Sequence, residues 1–373
     1  MRRRKKPSGL SIFNKFVLAV NSLAVISLLT AYLASFINPG VFWPPAFFGL
    51  AYPAILLVNL IFIIYWLISF PRYALISTIT ILIGWNTLTA YIGFRESSGI
   101  MVPKSSENFI RILTYNVHNF KQFGDKNDKF TKDQILDIIR KEQPDIICFQ
   151  EFFSRQRGEY NFRKLIPEIL NSEHYFYQPT TDNGYESTGT AIFSKYPIVN
   201  TGKVLFAKTM NWNEAVYVDV NRGGKIFRVY NVHFQSISFQ PEDYKYLKKV
   251  TKEIDADVES SRKIGSRLKQ AFVKRANQVK ILRSHTDSCK TPYVIAGDFN
   301  DTPISYTVKT VSEGLQNGFR LKGSGFGITY NGAFPNFQID FILASPEFSI
   351  KNYLIVQKKL SDHYPVRTDL ELK

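Results

Sequence analysis

The N-terminal part of the chain is almost free of charge after its first few positions. No charged residue lies between Lys15 and Arg72 or between Arg72 and Arg95, and Glu96 is the only acidic residue among the first hundred. An uncharged apolar stretch of about 20 residues is long enough to cross a hydrocarbon core of ~30 Å. The sequence therefore predicts a membrane segment at residues 1–94.

Proline and glycine divide this segment into three predicted spans. The breaks lie at Asn38 to Gly40 and at Pro44-Pro45, and Trp and Tyr residues near the span ends fit anchoring at the membrane interface. A cleaved signal peptide is the alternative for the first span, but two further spans follow and no small-residue cleavage site is evident. The predicted spans are 16–37, 46–70 and 73–94.

The distribution of basic residues predicts the orientation of the segment. Consecutive Arg and Lys residues at 2–6 favour a cytoplasmic N-terminus. Three crossings then make the protein an integral, multi-pass protein of a bacterial inner or plasma membrane, with an extracytoplasmic domain at 109–373. Two spans with a re-entrant hairpin would reverse that orientation. Residues 95–108 are polar and rich in turn-forming residues, which predicts a short linker.

Cysteine is also scarce, which excludes a small disulfide-rich domain and a zinc finger. Cys148 and Cys289 are the only cysteines, too few for a disulfide framework and without the spacing of a zinc finger. We expect Cys148 to be a buried strand residue. The net charge of +16 favours anionic partners such as nucleic acid or phospholipid headgroups, without choosing between them.

Beyond residue 108, six mostly apolar segments each end in or carry a polar residue of a type used in catalysis. Taken alone, each residue has an ordinary explanation: His233 could be a hydrogen-bonded core histidine, Asp340 a paired buried acid, and Glu151 a cap. Six such segments together favour a shared site. The residues are Asn116, Glu151, His233, Asp298 with Asn300, Asp340, and Asp362 with His363.

Four carboxylates in one cleft would need a positive charge beside them. Like-charge pairs among Glu151, Asp298, Asp340 and Asp362 would each cost up to about 4 kcal/mol at a separation of ~4 Å and an effective dielectric of ~20. A cation or a protonated histidine must offset this repulsion. Oxygen ligands without a cluster of Cys or His favour a hard ion, so the sequence predicts Mg²⁺, with Mn²⁺ as the substitute.

Several short motifs follow one another in a fixed order through the same region. They are Thr114-Tyr-Asn-Val, Phe149-Gln-Glu, Asn231-Val-His, Gly297-Asp-Phe-Asn, Ile339-Asp-Phe-Ile-Leu and Ser361-Asp-His-Tyr-Pro-Val. This pattern resembles the endonuclease/exonuclease/phosphatase superfamily over Phe109 to Lys373, and its two histidines favour the deoxyribonuclease and neutral sphingomyelinase branches. The resemblance implies an α/β fold, a four-layered α/β sandwich with two mostly antiparallel sheets. An all-α transmembrane segment of three helices is expected to precede it.

The resemblance also implies a metal site. Glu151 is expected to be the principal Mg²⁺ ligand, with Asn116 beside it and Asp362 close to the ion. At His118 the sequence departs from the abasic-site endonucleases, which tend to have an acidic metal ligand there, and this argues against that branch. We expect His118 to contact the substrate instead.

The residues of the reaction follow from the same resemblance. Asp298 would orient or deprotonate the attacking water, and Asn300 would hold a phosphoryl oxygen of the substrate. His363, steered by Asp340, would stabilise the developing negative charge or act in acid–base catalysis. His233 would donate a proton to the leaving oxygen, which typically contributes about 10²–10⁴-fold in rate.

These expectations together predict a membrane-anchored, Mg²⁺-dependent phosphodiesterase that hydrolyses a P–O bond by in-line attack of water. Its expected partners are the lipid bilayer and a phosphate-ester substrate, either a phospholipid headgroup or nucleic acid, and no protein partner is predicted. The alternative is a catalytically inactive binding module of the same fold on a membrane stalk. A degenerate member should lose a metal ligand or the Asp-His pair, and every such position is filled here.

Overall fold

A computed structural model describes residues 10–95, 104, 106–120, 129–207, 213–253, 257–332 and 336–373. The chain falls into two compact units. One contains Met1–Leu88 and Ile304–Tyr306, and the other contains Thr89–Pro303 and Thr307–Lys373. Apolar helices make up the first unit, and the second contains the sheets.

The N-terminal helices differ in length. They are α1 (Ile12–Leu33), α2 (Pro44–Leu50), α3 (Tyr52–Ser69), α4 (Ala74–Ile83) and α5 (Trp85–Tyr91). Both α1 and α3 are long and apolar enough to cross a membrane. Within the described residues there are therefore two candidate spans, or three if the bent pair of α4 and α5 counts as one.

The third predicted span, 73–94, is not one continuous helix. A bend of 67° separates α4 from α5 at Gly84. Glycine is needed there because a Cβ would lie 2.1 Å from the ring of Tyr32 on α1. Residues 92–94 form a strand instead of the last turn of a helix. Apolar composition alone does not reveal this close packing, which is why the sequence predicts an unbroken span.

A buried polar cluster joins three of these helices. Trp66 Nε1 donates to Asn21 Oδ1 (2.9 Å), Asn21 Nδ2 donates to Ser77 Oγ (2.8 Å), and the Ser77 hydroxyl donates to Asn59 Oδ1 (3.0 Å). All four side chains are fully buried. Because a buried polar group costs free energy unless it is hydrogen-bonded, these bonds stabilise one packing of α1, α3 and α4.

Within the residues that the structure describes, the second unit contains two six-stranded sheets and one two-stranded sheet. In chain order the strands are β1 (Ile92–Phe94), β2 (Ile110–Asn116), β3 (Ile146–Arg155), β4 (His174–Asp182), β5 (Glu186–Ser194), β6 (Ile198–Leu205), β7 (Glu214–Arg222), β8 (Lys225–His233), β9 (Tyr293–Asp298), β10 (Gln316–Asn317), β11 (Ser324–Phe326), β12 (Asp340–Ala344), β13 (Phe348–Ile355) and β14 (Val366–Leu372). The first sheet has the order β13-β14-β2-β3-β5-β4, and the second has the order β10-β12-β9-β8-β7-β6. The pairs β2/β3 and β8/β9 are parallel, and the other neighbours are antiparallel.

Further helices alternate with the strands along the chain. They include α6 (Lys129–Glu142), α7 (Phe162–Leu170), α8 (Pro241–Glu253), α9 (Val258–Asp287), α10 (Tyr306–Val311) and α11 (Gly318–Lys322). The apolar faces of α6 and α7 pack on the first sheet, and His285 of α9 contacts Tyr217 and Tyr230 of the second. This arrangement confirms the predicted α/β sandwich with two mostly antiparallel sheets.

Strand β3 shows how the sequence builds this layering. Ile146 and Cys148 point into the apolar cluster between the two sheets, whereas Ile147 and Phe149 pack against α6 and α7. Successive side chains alternate between the faces of a strand, so a strand covered on both sides reads as a continuous apolar run. Cys148 is fully buried, as the sequence predicts.

Candidate active site

The central strands of both sheets end in polar residues. Asn116 is the last residue of β2 and pairs with Gln150 of the parallel strand β3, so Glu151 follows directly. His233 ends β8 and pairs with Asp298, which ends the parallel strand β9. Parallel neighbours run in the same direction, so residues in register lie side by side and each sheet contributes one pair of functional groups. Strand β3 continues past Glu151 to Arg155, with a register shift between Phe149 and Phe152.

Two further residues approach these groups from antiparallel strands. Asp340 is the first residue of β12 and lies in register with Asp298 on β9. His363 lies shortly before β14, whose first residue pairs with Thr114 near the end of β2. The start of an antiparallel strand lies beside the end of its neighbour, which brings these distant segments of sequence together.

The amide of Asn116 bridges carboxylates that come from the two sheets. Its Nδ2 donates to Glu151 Oε1 (3.2 Å) and to Asp298 Oδ2 (3.1 Å). Asn116 is buried, and so is Asp298. The two sheets therefore contribute to a single site.

Both predicted histidines approach the same carboxylate. His233 Nε2 and His363 Nε2 are each 3.7 Å from Asp298 Oδ2. The opposite ring nitrogen of His363, Nδ1, donates to Asp340 Oδ2 at 2.9 Å. Asp340 therefore fixes the orientation of His363, while Nε2 faces the site.

Asn300 is held by the loop that follows β9. Its Nδ2 donates to Asp298 Oδ2 (3.1 Å) and to the carbonyl of Phe234 (3.0 Å), and its backbone N–H donates to Asp298 Oδ1 (2.8 Å). The backbone is left-handed at Asn300, with φ of 51°, and at Glu151, with φ of 50°. Such conformations cost of order 1–3 kcal/mol and cluster at functional sites.

His118 lies between two carboxylates of the site. Its Nδ1 is 3.5 Å from Glu151 Oε2 and 3.6 Å from Asp362 Oδ1, and its backbone N–H donates to Asn116 Oδ1 (3.1 Å). The hydrogen bond with Glu151 raises the pKa of His118, with burial opposing. The side chain is 38% exposed, so it is accessible to a substrate.

Burial and neighbouring charges determine the protonation of these groups. Burial acts to raise the pKa of Glu151, but a hydrogen bond with His118 helps to lower it to about 2. Burial raises the pKa of Asp298 to about 6, with His363 opposing the shift and Asp340 adding to it. Burial acts against the cationic form of His363, yet the carboxylates of Asp340 and Asp298 raise its pKa well above the ordinary value. At neutral pH, Glu151 is a carboxylate and His363 a cation.

Among the described residues of this site, two groups of side chains have donors for a divalent ion. Ligand atoms of Asp298, Asp340 and His363 lie within 4.8 Å of one another, but all three residues are buried and His363 Nδ1 is bonded to Asp340. Glu151 and Asp362 have side chains that are 26% and 23% exposed. Mg²⁺ retains several waters and binds through one or two carboxylates, so Glu151 and Asp362 fit such an ion better.

The structure adds two residues that the sequence prediction did not assign. Gln150 Nε2 donates to Asn231 Oδ1 (2.5 Å), and Asn231 Nδ2 donates to the carbonyls of Phe149 (2.8 Å) and Ala191 (2.9 Å). These bonds join the two sheets next to the site. Both residues could have been found from the sequence motifs. Gln150 directly precedes Glu151 in Phe-Gln-Glu, and Asn231 lies two residues before His233 in Asn-Val-His.

The segment around His363 has two further supports. Ser361 Oγ donates to the carbonyl of Asn116 (2.8 Å) and accepts the N–H of His363 (3.2 Å). The ring of Tyr330 meets the His363 ring edge-on, with centroids 5.3 Å apart. Ser361 is the first residue of the motif Ser361-Asp-His-Tyr-Pro-Val, so the sequence indicated it. No motif indicated Tyr330.

A two-sheet α/β sandwich with carboxylates, amides and histidines at one edge is a phosphoesterase-type fold. The model of the Endonuclease/Exonuclease/phosphatase family matches residues 113–363, and the chain belongs to this family. Its members are phosphoester hydrolases that usually depend on a divalent metal ion. A domain of unknown function matches residues 14–91. No curated protein sequence matches the chain.

Several solved structures resemble the chain at low sequence identity. An endonuclease/exonuclease/phosphatase from Beutenbergia cavernae DSM 12333 is 20% identical, with a TM-score of 0.52 over 71% of this chain and 72% of that chain. The human Nocturnin catalytic domain with bound sulfate anion is 18% identical, with a TM-score of 0.49 over 71% and 94%. The mannosyl-6-phosphatase of Bacteroides thetaiotaomicron VPI-5482 is 16% identical, with a TM-score of 0.47 over 70% and 99%. The similarity to the Beutenbergia cavernae structure shows the fold and gives no information on the substrate.

Proposed function

We propose that the protein is a membrane-anchored, Mg²⁺-dependent phosphodiesterase that cleaves a P–O bond by in-line attack of water. Membership of the family supports the hydrolysis of a phosphate ester. The observation that carries the proposal is the convergence of eight side chains from both sheets. They are Asn116, Glu151, His233, Asp298, Asn300, Asp340, Asp362 and His363.

Asp298 is the proposed acceptor of the proton from the attacking water. Its Oδ2 is the atom on which both amides and both histidines converge. A pKa raised to about 6 makes this carboxylate a stronger base than an ordinary Asp while it stays ionised at neutral pH. Asn300 and His118 contact the phosphoryl group of the substrate in this proposal.

The histidines act on the charges that develop during the reaction. His363 is cationic and oriented by Asp340, so its Nε2 can stabilise negative charge on the phosphoryl oxygens. His233 donates a proton from Nε2 to the leaving oxygen. Its Nε2 is 3.9 Å from Glu151 Oε1 and 3.7 Å from Asp298 Oδ2, within reach of the group that accepts the proton from water.

Glu151, Asn116 and Asp362 would hold the divalent ion. The lowered pKa of Glu151 keeps its carboxylate ionised, and its partly exposed oxygens are hard donors of the kind that Mg²⁺ or Mn²⁺ prefers. Asn116 Oδ1 accepts one N–H, from His118, and a carbonyl oxygen has a second lone pair for a ligand. When bound, the ion supplies positive charge that offsets the repulsion between these carboxylates and a phosphate ester.

The apolar helices α1 and α3 support a membrane location, and we propose an extracytoplasmic catalytic domain. A membrane anchor favours a phospholipid headgroup as the substrate, because it keeps the site beside the bilayer. The excess of basic residues also fits nucleic acid. A panel of DNA, RNA, sphingomyelin, phosphatidylinositol and inositol phosphates, assayed with Mg²⁺, discriminates these substrates.

Two substitutions test the site directly. Glu151→Gln and His363→Ala should each lower the hydrolysis of a chromogenic phosphodiester by at least about 10²-fold, because each removes a charge that acts on the phosphoryl group. Glu173→Gln and His174→Ala, at exposed positions before and in β4, are the matched controls and should retain full activity. Unchanged turnover in Glu151→Gln or His363→Ala would refute the site. A wild-type protein inactive on the whole panel would support the inactive binding module.

A further inference from the structure

The last apolar helix runs directly into the second unit of the protein. Strand β1 begins at the residue after α5 ends, and it pairs antiparallel with β11 through Ile92↔Phe326, Gly93↔Gly325 and Phe94↔Ser324. The N–H of Gly327 also donates to the carbonyl of Tyr91 (3.2 Å). The boundary of the second unit is at Thr89, within α5.

The pairing of β1 with β11 requires close contact between backbones. A Cβ on Gly93 would lie 2.2 Å from the carbonyl oxygen of Gly323. Glycine at 93 therefore lets the chain leaving α5 lie flat against the segment that joins α11 to β11. The attachment at this point is a hydrogen-bonded ribbon, which we call the β1–β11 ribbon (residues 92–94 and 324–326).

Large apolar side chains on and beside the β1–β11 ribbon face solvent. Phe94 is 64% exposed, Phe326 is 70% exposed, and Leu321 on the adjoining α11 is 40% exposed. Arg95 and Lys322 are exposed beside them. Neither 89–95 nor 318–327 contains an acidic residue. Glu96 follows Arg95 in the sequence and lies outside the described residues. Within the described residues of the two segments, the exposed aromatic side chains are accompanied only by basic charge, a composition that suits a surface in contact with anionic headgroups.

We infer that the β1–β11 ribbon lies on the headgroup region of the bilayer that holds the apolar helices. In this arrangement Phe94 and Phe326 enter the interface, and Arg95 and Lys322 contact lipid phosphates. The inference rests on the membrane attachment in the proposed function.

Chain connectivity selects a lipid surface as the occupant. Three residues of extended chain cover at most about 10 Å, so the ribbon cannot be far from the end of α5. Aromatic rings favour the membrane interface, and each Lys or Arg near an anionic leaflet contributes about 1 kcal/mol. The catalytic domain is then held against the bilayer by a surface of its own, rather than only by a tether.

The experiment measures the depth of position 326 in a membrane. Full-length protein with Cys289→Ser and Phe326→Cys is spin-labelled and reconstituted into vesicles of phosphatidylcholine with phosphatidylglycerol. The matched control is Phe130→Cys, an equally exposed aromatic position on α6. Cys148 is fully buried in both proteins. We expect the label at 326 to collide more with oxygen and less with an aqueous nickel complex than the label at 130.

Equal accessibility of both labels to the nickel complex would overturn the inference. The vesicles contain no other protein, so a surface covered by a protein partner would give this same contrary result. Retention of the protein after an alkaline wash reports membrane attachment separately, and phosphodiester hydrolysis is assayed on the same preparation. Protein that the alkaline wash removes would contradict the membrane attachment. Retained protein whose label at 326 is fully accessible to the nickel complex would contradict only the proposed position of the β1–β11 ribbon.

Lys322→Glu tests whether Lys322 contacts anionic lipid phosphates. In the Phe326→Cys background it should reduce the protection of the label in vesicles that contain phosphatidylglycerol, and it should have little effect in vesicles of phosphatidylcholine alone, because the latter carry no net charge. Lys322 lies outside the active site, so hydrolysis of a soluble phosphodiester should be unchanged in Lys322→Glu. Equal protection in both lipid mixtures would show that Lys322 does not meet the headgroups.

Discussion

One carboxylate oxygen, Asp298 Oδ2, is the point where the functional side chains meet. Asn116 and Asn300 donate to it at 3.1 Å, and the Nε2 atoms of His233 and His363 are 3.7 Å away. The residue is buried, so its charge is poorly screened and acts strongly on these neighbours. A change of one atom here should alter the chemistry without altering the fold.

Asp298→Asn preserves the size of the side chain and removes its charge. We expect kcat for phosphodiester hydrolysis to fall by about 10²–10⁴-fold, because an amide cannot accept the proton of the attacking water. KM should change little. Steady-state kinetics measure both, with Asp137→Asn on the surface of α6 as the control. A variant that retains its kcat would show that another group is the base.

Glu214 is a second unusual carboxyl at the residue scale. It is buried, its Oε1 has no hydrogen-bond partner within the described residues, and burial raises its pKa to about 7, with Lys203 opposing. A raised pKa means that the folded state holds the proton more tightly than the unfolded state. This contribution to stability is complete below pH 4.5, the ordinary value, and is lost as the pH rises through about 7.

Glu214→Gln removes this pH dependence. We expect the substitution to stabilise the protein by about 1–3 kcal/mol near pH ~8, where wild-type Glu214 is ionised, and to have little effect near pH ~4.5. Thermal unfolding at the two pH values measures the difference. The exposed control Glu173→Gln should give no such dependence. Equal changes of Tm at both pH values would contradict the buried charge.

At the scale of elements, α9 connects the loops that follow β8 and β9. Arg275 is buried on this helix, its Nε is 2.9 Å from Asp301 Oδ2, and its Nη1 donates to the carbonyl of Gln235 at 2.9 Å. Asp301 follows Asn300, and Gln235 lies two residues after His233. One guanidinium therefore holds the loops that end β8 and β9 at a common position.

Arg275→Met should destabilise the protein by about 3–5 kcal/mol, because Asp301 would be left as a buried charge without its partner. The double variant Arg275→Met with Asp301→Asn should recover part of that loss. Denaturant unfolding measures both. Lys263→Met, which breaks an exposed pair with Glu259 on the same helix, should leave the denaturant midpoint almost unchanged. Equal losses in Arg275→Met and Lys263→Met would show that the buried pair is not structural.

For the whole molecule, the number of crossings determines the side of the membrane on which the catalytic domain lies. Helices α1 and α3 each qualify as a span, and the bent pair of α4 and α5 adds a third only if it crosses completely. The cluster of Asn21, Asn59 and Ser77 bonds α4 to α1 and α3. Three crossings with a cytoplasmic N-terminus give the extracytoplasmic domain that we propose.

Labelling of an exposed cysteine in intact spheroplasts tests this orientation. A membrane-impermeant maleimide should modify Phe130→Cys, in a Cys289→Ser background, before the cells are lysed, because three crossings put α6 outside. The protein with Cys289→Ser alone has only the buried Cys148 and is the control for background labelling. Labelling that requires lysis would indicate an even number of crossings, and the β1–β11 ribbon would then meet the inner leaflet.

The site residues show which features of the protein can be predicted from the sequence alone. Asn116, His233, Asp298 and Asp340 each lie at a strand terminus, a position visible where an apolar run ends in a polar residue. Glu151 was expected at a strand end too, but β3 continues to Arg155 and Glu151 lies at its register shift. Their chemical roles are predictions from the family resemblance. The bend at Gly84, the pairing of residues 92–94 with β11 and the contact of Tyr330 with His363 were not predicted.

By itself the sequence determined the apolar N-terminal helices, the sheets and the types of group at the site, because apolar runs and the polar residues that end them are local properties of the chain. Only the tertiary structure decided which of those groups share Asp298 Oδ2, how Arg275 links two loops, and where the last apolar helix joins a sheet. These features depend on contacts between residues far apart in sequence, such as Asn116 with Asp298, and local composition carries no information about such pairs.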